Sequence, residues 1–165
     1  AAISWLLGAL DRHSLTERVA AAGHRLVHGG ARYRDPVRIT PAVRRDLDAI
    51  VLLAPDHLPN QLHAIDVIAR QVPALPQVAC FDTAFHATLP LVARLFGLPR
   101  TLAEEGVVRY GFHGISYEYI VGALRERGAL GRRTVIAHLG NGASLAAVLD
   151  GVSMDTTMGL SLIHI

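Results

Sequence analysis

Cysteine is nearly missing from this chain: the one thiol, Cys80, excludes an internal disulfide and any zinc cage built on paired cysteines. Aromatic residues are few, at 5%. No run of four or more basic residues occurs, and the formal charge of +2 and pI near 9.1 come from scattered arginines. Nucleic acid is therefore a poor partner. Apolar runs stay short of the roughly 18 residues a membrane span needs, so no membrane partner is expected. There is no His-Glu-x-x-His and no Cys-x-x-Cys, which argues against a metal hydrolase; no Gly-x-Ser-x-Gly, which argues against a serine hydrolase; and no Gly-Lys-Ser/Thr of the Walker type. Repeats, heptads and low-complexity tracts are absent, which removes solenoids and coiled coils. What remains is a domain-sized chain of 165 residues, 51% hydrophobic, with ample material for a core. The lone thiol favours a cytoplasmic setting. Ala1 to Leu10 is apolar without a charged leader or an initiator Met, which reads as a chain begun mid-sequence rather than a signal peptide.

The most informative stretch runs from Thr134 to Gly151. An apolar run enters His138-Leu139-Gly140-Asn141-Gly142, and a second apolar run, Ser144 to Leu149, leaves it. This pattern predicts a β-hairpin whose tip adopts positive φ. A tip with so little side chain exposes backbone amides, which suit phosphate oxygens.

Ser14 to Ala22 reads as a helix stopped by Gly23, and His24 to Gly30 as a short strand ending in two glycines. Arg25 on that strand is either an edge arginine or a fork of donors aimed at an anion. Thr40-Pro41 opens a helix through Ala49, and Asn60 to Val72 forms another; Ile50 to Pro55 fits a strand or a last helical turn equally well. Gln77 to Phe81 is a strand that delivers Asp82 at its end, where open α/β sheets place functional groups, although Asp82 could instead cap a helix over Ala87 to Phe96. Val107 to Phe112 reads as a strand leading to Gly111-Phe112-His113-Gly114 and a helix from Ser116 to about Arg127. A histidine between glycines at such a junction is expected to be exposed, beside a helix N-terminus that favours anions. Val152 to Gly159 supplies a further strand edge. Strands alternating with helices predict an α/β fold.

An arginine beside glycines, a carboxylate at a strand end, a histidine between glycines and a glycine hairpin together suit phosphoryl transfer, which asks a protein mainly to position groups and neutralise charge. Gly140 and Gly142 do not open a helix, so the phosphate loop is not of the Rossmann type.

His24-Arg-Leu-Val-His-Gly-Gly30, Phe81-Asp-Thr-Ala-Phe-His86, Arg109-Tyr-Gly-Phe-His-Gly114, His138-Leu-Gly-Asn-Gly-Ala-Ser144 and Asp155-Thr-Thr-Met-Gly159 occur in the order and approximate spacing of the acetate kinase family. The resemblance covers residues 12 to 159. It implies a ribonuclease-H-like, two-domain fold of the actin and sugar kinase type, here incomplete. Residues 1–84 would be the remaining part of the N-terminal domain, and 85–159 the first part of a second, nucleotide-phosphate-binding domain. It also implies magnesium-dependent transfer of the ATP γ-phosphoryl group to acetate or a similar short-chain carboxylate such as propionate, giving acyl phosphate and ADP, in a homodimer. A non-catalytic phosphate-binding fragment is the alternative.

Carried over by position, the resemblance makes Arg25 a ligand of the acyl substrate and transition state, Val27 and Phe112 parts of the acyl pocket, and His57 the active-site histidine of the Pro-x-His segment. Asp82 resembles the active-site carboxylate and His113 the transition-state stabiliser. His138, Leu139, Gly140, Asn141 and Gly142 resemble the loop on the ATP phosphates. The substrate carboxylate is already ionised at neutral pH, so Asp82 is expected to act through Mg²⁺ or by orientation, not as a base.

Two segments depart from the usual pattern. Asp56 replaces an apolar residue before His57, and Ile115-Ser116-Tyr117 replaces Thr-Ser-His. Both leave the identity of the acid open. The family's opening phosphate loop, its later arginine, its adenosine pocket and its magnesium-binding glutamate have no counterpart in this sequence, so the chain alone is expected to show no turnover. Residues 160–165 replace the family's continuation and read as an artefactual tail.

Overall fold

The computed structural model describes residues 2–159, and the expected tail at 160–165 lies outside them. The chain divides into two compact units, Ala1–Cys80 and Phe81–Ile165. Among the described residues no helix is long and apolar enough to cross a membrane.

The first unit begins with α1 (Ala2–Arg12), β1 (Ala22–Leu26), β2 (Val37–Arg38) and α2 (Pro41–Ala49). It continues through α3 (Leu58–Gln71) into β3 (Gln77–Phe81), which runs up to the boundary. The three strands form one sheet in the order β1-β3-β2, with β2 antiparallel to β3. Helix α2 starts as its sequence dictates: the Thr40 side chain accepts the Val43 N–H, and Pro41 fills the first turn, where no donor is needed. In α3, Leu58, Leu62 and Ile65 recur at helical spacing and are all buried; they share the core with Leu26, Leu47 and Ala79. Arg44 ties the two helices together, with Nε and Nη2 each 2.9 Å from an Asp66 oxygen.

The second unit holds the short helices α4 (Leu91–Arg94) and α5 (Arg100–Glu104), then α6 (Gly114–Glu126), β4 (Arg133–Leu139), β5 (Ala143–Leu149) and β6 (Val152–Thr156). The strands form an antiparallel meander in the order β4-β5-β6, with His138 opposite Ser144. Strand alternation sends Ser144, Ala146 and Val148 inward, where Tyr117 and Val121 of α6 and Ile136 of β4 complete the core. Burying each of the larger aliphatic side chains contributes roughly 1.5–3 kcal/mol. The other face of the sheet leaves Val135, Leu139, Leu145 and Val152 exposed. Asp150 (φ 51°) and Gly151 (φ 86°) join β5 to β6 in a two-residue turn with both central residues at positive φ, which matches the twist of the strands.

The hairpin, α2 and α3, the Gln77–Phe81 strand and the helix after His113 agree with the sequence reading. Several other expectations do not hold. Ser14 to Ala22 is not a helix: only one 3₁₀ turn forms at Thr16–Arg18, because Ser14 at φ 54° ends α1 and the chain then extends into β1. Ile50 to Pro55 is neither a strand nor a last turn of α2 but a separate 3₁₀ turn at Val51–Leu53. The strand from His24 stops at Leu26, short of Gly30. Helix 87–96 shrinks to Leu91–Arg94, since Pro90 holds extended backbone before it and restricts the residue ahead of it. Residues 107–113 join no sheet; Gly111 at φ 77° breaks the extended run. None of Gly140, Asn141 and Gly142 takes positive φ. The Gly140 N–H instead reaches the Gly142 carbonyl at 3.3 Å, so the three-residue tip closes on itself.

Candidate active site

In the second unit, the segment Gly111-Phe112-His113-Gly114 is locked from several sides. Gly111 has φ 77°, and a Cβ there would lie 2.5 Å from Cγ of His86. Only glycine fits that approach. The Gly114 N–H donates to the Asp82 carbonyl at 2.8 Å, and a Cβ on Gly114 would collide with that same oxygen. Between the two glycines, His113 sits in the left-handed region at φ 59°, ψ 20°, as the residue that begins α6. Such backbone costs on the order of 1–3 kcal/mol and persists only where its surroundings enforce it.

His86 is one of the enforcers. Its Nε2 lies 3.0 Å from the Phe112 carbonyl and its Nδ1 lies 2.8 Å from Ser153 Oγ. A carbonyl only accepts, so Nε2 carries the proton, and Nδ1 accepts the serine hydroxyl in the neutral ring. Burial pulls the His86 pKa down to about 4, which keeps the ring neutral at physiological pH.

The side chain of His113 is 5% exposed, so the expectation of an exposed histidine is wrong. Tyr117, one helical turn along α6, and the inward face of β5 enclose it. Nδ1 of His113 is 2.8 Å from Ser144 Oγ, and the Tyr117 hydroxyl makes a short hydrogen bond to the same oxygen. The ring stacks on His138 with centroids 4.0 Å apart, and His138 Nδ1 is 3.1 Å from Ser116 Oγ. Tyr117 is fully buried, and that burial raises its pKa, so it remains a phenol that can donate. Phe112 is buried beside this cluster in sequence, and Asp82, 1% exposed, joins it through its own main chain. The 3₁₀ turn after Asp82 has Thr83 as its N-cap residue and the helix Leu91–Arg94 has Pro90, so Asp82 stands at the N-cap of neither.

In the first unit, Arg25 is exposed on β1, while Val27 is 3% exposed and donates its N–H to Gln61 Oε1 at 3.0 Å. His28 is buried, its Nδ1 accepts the Gly30 N–H at 2.8 Å, and burial pulls its pKa down to about 4. His57 is half-buried at the start of α3, and Asp56 before it is exposed. A cavity lined by Arg38, Arg44, Asp66 and Gln77 lies elsewhere in this unit and includes none of Arg25, Val27 or His57.

The structure thus gathers Phe112, His113, His138 and the Asp82 main chain in one unit, and Arg25, Val27 and His57 in the other. His86, Ser116, Tyr117, Ser144 and Ser153 were not picked out as site residues from sequence. Two signals were available: the i, i+4 relation of His113 and Tyr117, and the inward parity of Ser144 on β5.

The model of the Acetokinase family matches residues 1–164. The chain belongs to the acetokinase family. The acetate kinase of Rhodopseudomonas palustris (strain ATCC BAA-98 / CGA009) is 50% identical over 163 residues, covering 97% of this chain and 41% of that protein. Another acetate kinase, from Methylocella silvestris, is 52% identical over 145 residues, 87% of this chain and 36% of its own length. Among solved structures, a propionate kinase from Francisella tularensis superposes with TM-score 0.91 at 37% identity, over 98% of this chain and 42% of that one. Porphyromonas gingivalis acetate kinase gives TM-score 0.88 at 36% identity, over 98% and 43%. This acetokinase chain therefore spans about two-fifths of the length of the curated relatives it matches, and its mixed α/β architecture is an incomplete part of their actin and sugar kinase type of fold.

Proposed function

We propose that this chain is part of an acetate kinase that moves the γ-phosphoryl group of ATP reversibly onto acetate, giving acetyl phosphate and ADP. The observation that carries this reading is the locked His113: a buried imidazole, held in left-handed backbone, stacked on His138 and hydrogen-bonded at Nδ1 to Ser144, suits a group that must meet developing charge without reorganising. Arg25 supplies a cationic partner and binds the substrate carboxylate in a fork of donors. By their positions in the family's motifs, Val27 and Phe112 are assigned apolar acyl-pocket roles and His57 the role of the active-site histidine. The Leu139–Gly142 tip and His138 take the ATP phosphates. Residues 1–84 belong to the acyl-substrate half, and 85–159 to the nucleotide-phosphate half.

Magnesium suits the chemistry of the donors. Mg²⁺ usually takes only one or two carboxylates and completes its shell with phosphate oxygens and water. Among the described residues no three His, Cys, Asp or Glu side chains form a metal site. Asp82 can supply the protein's single carboxylate. When bound, the ion would neutralise charge on the phosphates, and the acid needs no base because it is already ionised. A cytoplasmic homodimer completes the reading for a full-length protein.

The test is a hydroxamate assay on a full-length protein carrying this chain, with ATP and either acetate or propionate. Acyl phosphate formed faster from acetate supports the proposal. Faster turnover of propionate reassigns the substrate, and nucleotide binding without any acyl phosphate refutes the kinase reading.

A further inference from the structure

The hydroxyls of Tyr117 and Ser144 form a chain that ends on one nitrogen of His113. Ser144 Oγ has one proton to give and two neighbours, Nδ1 of His113 and the Tyr117 oxygen. Which way that proton points follows from the burial of the phenol. Tyr117 is fully buried, its hydroxyl proton needs an acceptor, and among the described residues Ser144 Oγ is the acceptor its hydrogen bond reaches. Ser144 Oγ, receiving that bond, passes its own proton to Nδ1 of His113.

We propose that Tyr117 and Ser144 are positioning residues that fix His113 as the tautomer protonated on Nε2, which makes that nitrogen a donor. The role assigned to that donor rests on the kinase reading above. The tautomer itself does not, because it follows from the hydrogen-bond chain alone. The stack on His138 holds the plane of the ring, and the hydroxyl chain holds its protonation pattern.

The experiment is long-range ¹H–¹⁵N correlation of the histidine rings in a full-length protein carrying this chain, compared with its Tyr117→Phe and Ser144→Ala variants. Tyr117→Phe keeps the buried ring and removes only the hydroxyl, which makes it the informative variant if Ser144→Ala does not fold. The expected result is an Nε2–H tautomer for His113 in the parent and a mixed population in Tyr117→Phe. With it, kcat for acyl phosphate formation should fall roughly 10- to 100-fold, as loss of an orienting partner does elsewhere, while KM for ATP changes little. Ser144→Thr, which restores a hydroxyl, should recover most of the kcat lost in Ser144→Ala. Finding Nδ1–H in the parent overturns the proposal, as does a tautomer ratio that ignores the loss of the Tyr117 hydroxyl. A changed ratio with unchanged kcat removes the positioning role. If the protein forms no acyl phosphate at all, the kinase reading falls, and the NMR measurement still decides the relay.

Discussion

The imidazole of His113 lies 4.0 Å from that of His138, the planes inclined by 21°. His138→Phe keeps an aromatic face against His113 and is expected to retain more of the kcat of a full-length enzyme than His138→Ala, while both raise KM for ATP. His138→Ala removes the face and should lose roughly tenfold. Equal kcat for the two variants would show that the stack does not matter.

A stability prediction follows from Gly111. Alanine there must adopt φ 77° and place its methyl 2.5 Å from the His86 ring. Gly111→Ala should destabilise the second unit by more than about 2 kcal/mol, read as a shift of the urea midpoint at unchanged slope.

The two buried histidines make stability fall in acid. His28 and His86 have pKa values near 4 in the folded chain against 6.5 for the free side chain. Between those limits the unfolded chain binds more protons, so this stabilisation is complete above pH 6.5 and declines as the pH drops toward 4. The loss is on the order of 3 kcal/mol per histidine. Urea unfolding across that window checks the sign, and His86→Gln should flatten the dependence of the second unit while leaving that of the first.

Arg25→Ala in a full-length enzyme is expected to lower kcat by roughly 10³-fold or more, the scale of an arginine aimed at transition-state charge. Arg25→Lys should recover little, because an ammonium cannot reproduce the planar fork. A loss under about tenfold would remove Arg25 from the mechanism.

Much of the scaffold could be read from local chemistry. Thr40-Pro41 declares a helix start, Leu58, Leu62 and Ile65 declare a buried stripe, and β5 alternates so regularly that its inward face is evident. What could not be read depended on partners distant in sequence. Residues 107–112 have strand-like content but find no neighbouring strand, and Pro90 ends a helix that periodicity would extend. His113 looked exposed because glycines flank it, yet those glycines exist to let His86 and the Asp82 carbonyl press close. His86 and Ser153, 67 positions apart, meet only after folding.

The antiparallel register that sets His138 opposite Ser144 has an evolutionary consequence. Surface loops ordinarily accept extra or missing residues. One residue gained or lost within Gly140–Gly142 without a compensating bulge would slide β5 by a single step, turning Ser144 to solvent and driving Leu145 against the His113 ring. Length change at this tip is therefore closed to drift, and lineages that alter it must abandon or rebuild the imidazole's support.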